Sequence, residues 1–403
     1  MNRPFDLILH GASGFTGQQT VAYVNQHAPS SLRWAVSGRD LKKLNAVVRK
    51  WAPGREIPCI KADGLDPDDM SRLAESTRVI LTTAGPYSKF GRLLVEQCID
   101  KKTHYVDITG ETAFIADIIA KHHGQAARDG TLIVPFCGFD SVPSDSLVFF
   151  MANHLRKQGL MLGQVVGAFK LKGGFNGGTL ATALETSSSD TYTARMKDVL
   201  LLNPPDAISE IERAESPDLD EPMFHENLGW ITPFVMSPIN TRVVRRSNGL
   251  FGGINRPYGP SFRYLEGLSV KSRTKASFIG GISRLTEASL GTKMGRQFIK
   301  WVGPKPGQGP SVKAMDSGFF KLDMVAQADD GSIHRAVLKA KGDPGNRSTV
   351  MALCESAFCL TETVDPVSQC GGGILTPMTA FGENLIQRLM ARGWIYEMIG
   401  RPS

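Results

Sequence analysis

Phe5-Asp-Leu-Ile-Leu-His10 runs without a break into Gly11-Ala-Ser13-Gly14-Phe15-Thr16-Gly17, and a helical pattern continues through about Gln26. An apolar strand, a glycine turn and a helix are what a dinucleotide-binding start requires. Glycines let the backbone approach a pyrophosphate at the helix N-terminus, where free N–H groups and the helix dipole favour an anion. The spacing is GxxGxxG rather than GxGxxG, which also suits a tight turn with no ligand. The units that follow favour the ligand. Strands are predicted at 33–37, 56–61, 79–83, 103–107 and 131–135, with helical patterns between them. The clearest helix places Phe90, Leu93, Leu94 and Cys98 on one face. Such alternation predicts an α/β fold with a doubly wound parallel sheet.

The second strand selects the dinucleotide. An NAD enzyme normally carries Asp or Glu about 20 residues past the glycine turn, where it takes the ribose hydroxyls. Here the strand ends Ser37-Gly-Arg39 with no carboxylate at its tip. A guanidinium can grip a 2′-phosphate in bidentate fashion, so NADP is the expected cofactor. Asp40 reads as the N-cap of the next helix. Three later loops lie at the C-terminal ends of strands, where open α/β sheets bind ligands: Thr83-Ala84-Gly85-Pro86-Tyr87, Asp107-Ile-Thr-Gly-Glu111 and Cys137-Gly138-Phe-Asp140-Ser141-Val-Pro-Ser-Asp145.

At 403 residues the chain is long enough for two domains, and 41% hydrophobic with 21% charged residues is ordinary for a globular enzyme. Its six cysteines form no CxxC pair, which disfavours structural zinc and dithiol chemistry; no metal is expected. No signal peptide and no membrane-length apolar run are visible, so the expectation is a cytoplasmic protein, soluble or peripheral on a membrane or lipid surface. Twelve Lys or Arg against two Glu fall in residues 241–300, and nine acids against one base in 198–226. The basic stretch either attracts an acidic carrier protein, a CoA phosphate or an anionic lipid surface, or is a solvated face balanced by the acidic one. No recognition helix, zinc finger or RNA-recognition signature accompanies the charge, so nucleic acid is not expected.

Further along, a strand over 164–172 leads into Gly173-Gly-Phe-Asn176-Gly177-Gly178-Thr179 and a helix to about Glu185. A glycine turn before a helix presents N–H groups to a carbonyl or phosphate oxygen, or is simply a sharp turn. Residues 203–226, 248–262 and 303–311 read as loops, and 348–361 and 376–392 as two helices flanking Gly371-Gly-Gly373. Tyr-x-x-x-Lys, GxSxG and HExxH are absent, against short-chain dehydrogenase, serine hydrolase and zincin chemistry.

Together, Gly11–Gly17, Ser37-Gly-Arg39, Ala84-Gly-Pro-Tyr87, Tyr105-Val-Asp-Ile-Thr-Gly-Glu111 and Gly138–Asp145 resemble the saccharopine dehydrogenase-like oxidoreductases. Gly173–Thr179, Gly342-Asp-Pro-Gly345 and Gly371-Gly-Gly-Ile-Leu-Thr-Pro377 bring the chain nearest the trans-acting enoyl reductases, over residues 5–394; Asn176 stands where Ser is expected. The resemblance implies a Rossmann-type NADP-binding domain over 1–140, with 345–403 packing back on it, and an α/β (α+β) substrate domain over 141–344. It implies NADPH-dependent reduction of a lipid-like enoyl thioester carried by a partner polyketide synthase or acidic carrier. Alternatives are a saccharopine-type imine oxidoreductase and a non-catalytic NADP-binding protein of lipid surfaces or droplets. Expected cofactor contacts are Gly11, Ser13, Gly14, Phe15, Thr16, Gly17, Ser37, Arg39, Ala84, Gly85, Pro86 and Gly138. Gly177, Gly178 and Thr179 are expected at the substrate. Tyr87 is the first candidate proton donor, with Asp140 and Ser141 behind it.

Overall fold

A computed structural model describes residues 3–174, 184, 194–207, 216–290, 292, 295, 297, 307–362 and 368–400. The predicted alternation is present. β1 (Phe5–His10), α1 (Phe15–His27), β2 (Trp34–Gly38), α2 (Leu41–Trp51), β3 (Cys59–Lys61), α3 (Pro67–Ser76) and β4 (Thr77–Thr82) lead to α4 (Tyr87–Phe90) and α5 (Arg92–Asp100). β5 (His104–Asp107), α6 (Thr112–Arg128) and β6 (Leu132–Val134) complete the first layer system. With the short late strand β13 (Gly373–Ile374), these strands form one parallel sheet in the order β13-β6-β5-β4-β1-β2-β3.

Alternate residues of these strands enter two separate cores, which is why the strands read as continuous apolar runs. Leu7, Leu9, Val79, Leu81 and Val106 pack with Val21, Val24, Leu44 and Val48 of α1 and α2. Ile8, Ile80, Tyr105 and Ile133 pack with Met70, Leu73, Leu94 and Ile118 of α3, α5 and α6. Local chemistry sets the helix starts. Asp40 accepts from Lys43 N at 3.1 Å, as an N-cap should, and Asp66 accepts from the amides of Asp68 and Asp69.

The second sheet is mixed. After α7 (Val142–Arg156) come β7 (Leu162–Lys172), β8 (Met223–His225), β9 (Gly229–Thr232), α8 (Ser237–Gly252), β10 (Arg263–Val270), α9 (Arg273–Leu290) and α10 (Val312–Asp316). β11 (Phe319–Ala328), β12 (Ile333–Lys341), α11 (Thr349–Thr361), α12 (Pro377–Ala391) and β14 (Ile395–Ile399) follow. Strand order is β14-β12-β11-β7-β10-β9-β8, with only β7 and β10 parallel. One face carries Val165, Phe169, Phe320, Leu322 and Leu338 into a core with Leu147 and Met151 of α7 and Leu385 and Leu389 of α12.

The chain's last segment serves both layer systems. Val350, Leu353, Ala357 and Phe358 of α11 join the core beneath α1 and α2, and Gly373–Ile374 extends the first sheet. β14 instead pairs with β12 at the edge of the second sheet, so the final residues depart from the expectation that 345–403 pack back on the first.

Three cations of the basic stretch read differently in three dimensions, while Arg256, Lys271, Arg273 and Lys275 are exposed. Arg242, Arg245 and Arg246 lie within α8 and are 1%, 3% and 2% exposed. Arg242 and Arg245 grip the Asp218 carboxylate at 2.8 and 3.0 Å. Arg246 donates to the carbonyls of Leu202 and Ile374, and burial lowers its pKa to about 9. These cations are neither a docking patch nor a solvated face. They are internal fasteners, and the acidic stretch supplies the anion for Arg242 and Arg245. The predicted loop over 248–262 begins only after Gly252, where α8 ends.

Candidate active site

The glycine turn fits a dinucleotide. Gly11 has φ +85°, and a Cβ there would stand 2.9 Å from the Ala84 amide of the β4 loop. A Cβ at Gly17 would overlap the Gly11 carbonyl and lie 2.8 Å from the Ala12 Cα, so α1 can start this close to β1 only with glycine. Gly14 caps α1 with no side-chain hydrogen bond, leaving the helix N-terminus open beside Phe15 and Thr16. Thr83 binds the turn from the other side, its amide donating to His10 O at 3.0 Å and its hydroxyl to Gly11 O at 3.2 Å. The result is a cradle of backbone at an open helix N-terminus, the arrangement that favours an anion.

At the tip of β2 the two predicted residues part company. Arg39 is exposed, its guanidinium 5.8 Å from the centre of the Phe90 ring. Ser37 is fully buried inside the sheet, with Oγ 2.7 Å from His10 Nδ1. Burial lowers the His10 pKa to about 4, so this imidazole is neutral and ties β1 to β2. The expected pairing of Ser37 with Arg39 at the cofactor is thereby corrected. The glycine turn lies beside the β2 tip: a Cβ on Gly38 would stand 3.9 Å from Ser13 Oγ.

The β5 motif is architectural. Asp107, fully buried, accepts from Tyr105 OH at 2.7 Å, Thr109 N at 2.9 Å and Phe136 N at 3.2 Å. Glu111 accepts from the amides of Tyr87 and Ser88 and so caps α4. Tyr87 itself is 4% exposed, and its phenol donates to Thr82 O at 3.2 Å. Burial, with Asp107 nearby, pushes that phenol well above its usual pKa. Its ring lies in the core with Ile8, Tyr105 and Ile133.

After β6 the chain turns at Phe136, whose φ of +65° is rare for a bulky residue; the Asp107 carboxylate holds its amide there. The following loop reaches α11: Phe139 N donates to Thr349 Oγ1 at 3.2 Å, and Thr349 Oγ1 donates to Pro344 O at 2.9 Å. A Cβ on Gly138 would touch Ile108 at 3.3 Å. Within this loop Asp140 is half-buried and has no hydrogen bond or ion pair among the described residues. Burial raises its pKa to about 7. Ser141, 1% exposed, has an Oγ with no hydrogen-bond partner among them.

The remaining motifs close the ring. Gly173 lies against Pro344, Gly174 against Pro310, and Gly309 against the Phe15 ring beside the glycine turn. Asp343 holds the Gly342–Gly345 turn by accepting from Arg347 N at 3.0 Å and Asn346 Nδ2 at 2.6 Å. Gly177, Gly178 and Thr179, expected at the substrate, lie outside the described residues, as do Asn176 and the helix expected to about Glu185 except Leu184. Thr349 and the contact of Gly309 with Phe15 escaped the sequence reading, since no local pattern signals a loop closing from a distant segment. Asp145, the last residue of the β6 motif, accepts from Ser247 Oγ at 2.6 Å and Met378 N at 3.0 Å and joins α7, α8 and α12. Among the described residues no helix is long and apolar enough to cross a membrane.

Residues 7–134 match the family described as saccharopine dehydrogenase NADP binding domain. A Mycobacterium tuberculosis protein whose provisional name is trans-acting enoyl reductase is 36% identical over 97% of this chain and 96% of its own. Another M. tuberculosis protein, named trans-acting enoyl reductase, is 34% identical over 97% of both chains. Among solved structures, apo saccharopine dehydrogenase (L-Glu forming) from Saccharomyces cerevisiae aligns with 98% of this chain and 100% of its own, with a TM-score of 0.53 and 12% identity. That likeness concerns the fold.

Proposed function

Since the chain belongs to the trans-acting enoyl reductases of the saccharopine dehydrogenase-like family and is an NADP-dependent oxidoreductase, we propose that it reduces the double bond of a lipid-like enoyl thioester tethered to a polyketide synthase carrier. Gly11, Ser13, Gly14, Phe15, Thr16 and Gly17 would hold the pyrophosphate, and Arg39 the 2′-phosphate. Ala84, Gly85, Pro86 and Gly138 would flank the nicotinamide at the carboxyl ends of β4 and β6. NADPH, when bound, supplies a hydride, here to the substrate β-carbon.

Asp140 carries the reading. Reduction requires a proton at the α-carbon once the β-carbon has been reduced, and a donor serves best when its pKa lies near the working pH. Asp140 is a carboxyl raised to about 7 by burial, with no hydrogen bond or ion pair among the described residues to explain its place. It gives its proton to the α-carbon and, being half-buried, recovers one from water. Tyr87 walls the site from beneath.

The imine alternative needs fixed cations for substrate carboxylates, and the three arginines of α8 are already bound to Asp218 and to backbone carbonyls. The test is nicotinamide oxidation over enoyl-carrier, enoyl-CoA, imine and aldehyde substrates. Turnover of enoyl thioesters is expected. Turnover of imines alone refutes the reading, as does tight NADPH binding with no substrate-dependent oxidation.

A further inference from the structure

The second sheet has a face turned away from α7 and α12, and its register brings lysines together. Lys170 of β7 stands opposite Lys321 of β11, which stands opposite Lys339 of β12. In the next row Lys172 and Lys341 flank Phe319, and Arg335 adds a sixth cation two residues along β12 from Val337. The same strands, with β14, bring only Asp323 and Glu397 to this face. Like charges directly opposite one another weaken a ladder. Asp323 relieves Lys321 at 2.7 Å and Glu397 relieves Lys339 at 3.2 Å; Glu226 lies at the far end of the face with Val325 and Ile333, so six cations against three carboxylates leave the end near Lys172 and Lys341 positive.

The face is also adhesive. Phe319, Ile333, Ile395 and Ile399 are 43%, 41%, 42% and 39% exposed on it. Its basic end adjoins the site: β7 runs from Lys172 straight into Gly173 and Gly174, and β12 from Lys341 into Gly342 and Asp343. A second copy of the chain would set this positive face against itself, which the charges oppose.

We propose that this sheet face docks the acidic carrier domain that delivers the tethered acyl chain. The proposal rests on the enoyl reductase reading for its choice of partner, and moves the docking surface away from the 241–300 stretch. An anionic helix face of the carrier meets the lysine rows while the exposed apolar side chains supply the dry contact. The tethered chain then enters beside Gly173 and Pro344.

The test compares the native protein with Lys170→Glu/Lys172→Glu/Lys341→Glu, and with the milder Lys→Gln triple should the first fold poorly. Probes are an excised polyketide synthase carrier domain bearing a trans-2-octenoyl group, and the same acyl group on N-acetylcysteamine. The charge reversal is expected to raise the carrier-domain Kd, by calorimetry, and the carrier-substrate KM by about tenfold or more at low salt, with kcat on the small thioester unchanged. An unchanged carrier Kd overturns the proposal. So does a variant whose only change is dissociation of a native dimer, or lost binding to phosphatidylglycerol vesicles with carrier affinity intact. Charge-dependent carrier binding without reduction of either thioester leaves the docking surface standing and removes the enoyl reductase reading.

Discussion

Asp140→Asn keeps the size and polarity of the side chain and deletes its proton. Two consequences follow from a carboxyl whose pKa rises from 3.8 to about 7 on folding. As the general acid, native enzyme should lose kcat roughly tenfold per unit above pH 7, while the Asn variant should be slower by about 100-fold or more with a flat profile and unaltered NADPH affinity. The second consequence is thermodynamic. Because the folded-state pKa lies above the unfolded one, the folded protein binds this proton more tightly, so the group's stabilisation is complete below about pH 4 and is lost as pH rises to about 7. Three units at about 1.4 kcal/mol each set a ceiling of about 4 kcal/mol, lowered by solvent screening at a half-buried site. Relative to native, the Asn variant should therefore gain stability progressively between pH 4 and 7 and hold that gain above it. Urea unfolding at pH 5 and pH 8 measures the gain, and kcat profiles over the same range measure the loss. A variant with near-native kcat, or a stability difference independent of pH, refutes the assignment.

Three more expectations can be checked. Arg39→Ala should weaken NADPH binding about tenfold or more and leave NADH nearly unchanged in calorimetry, since only the 2′-phosphate loses a partner. Tyr87→Phe should keep kcat within about threefold and cost about 1 kcal/mol in urea unfolding, because the phenol donates to the Thr82 carbonyl inside the core; a hundredfold fall in kcat would restore Tyr87 as proton donor. Asp218→Asn should destabilise the protein by about 3–5 kcal/mol at neutral pH, since it strands the buried guanidinium groups of Arg242 and Arg245. Burial pushes the Asp218 pKa up, but Arg245 and Arg242 outweigh that and hold it below the usual carboxylate value, so this support should persist into acid and disappear as pH falls through that lowered pKa.

The first sheet was legible because its signals are local. Apolar runs, the glycine turn and the Asp40 cap each depend on residues a few positions apart, and all six predicted strands are present. The site was legible in part. The loops at the ends of β4 and β6 follow from the rule for parallel sheets, but side-chain roles within them depend on distant partners. Ser37 looked available beside Arg39 until His10, 27 residues earlier, took its hydroxyl. Arg242, Arg245 and Arg246 looked like surface charge because a composition count cannot see Asp218 or the carbonyls of Leu202 and Ile374 folding over them. The lysine rows of the second sheet escaped notice for the converse reason: 170, 321 and 339 are remote in sequence and meet only through strand register.

Three carboxyls, Asp107, Asp140 and Asp145, share a pKa raised to about 7 by burial, so the shift alone does not single out a catalyst. Their partners separate them. Asp107 accepts three hydrogen bonds and fixes the turn at Phe136; Asp145 accepts two from α8 and α12 and joins three helices. Removing either carboxylate would strand those donors, which accounts for its burial as structure. Asp140 satisfies no donor among the described residues, yet it is kept half out of water at the end of β6. A carboxyl desolvated without compensation weakens the fold near neutral pH, and such a cost persists at positions where the group is used for something other than holding the chain together. The loop around it is held by a left-handed Phe136, by Thr349 on the Phe139 amide and by the Asp107 carboxylate on the Phe136 amide, while Asp140 accepts no hydrogen bond among the described residues. That difference in partners is the ground on which Asp140, rather than Asp107 or Asp145, is proposed as the proton donor.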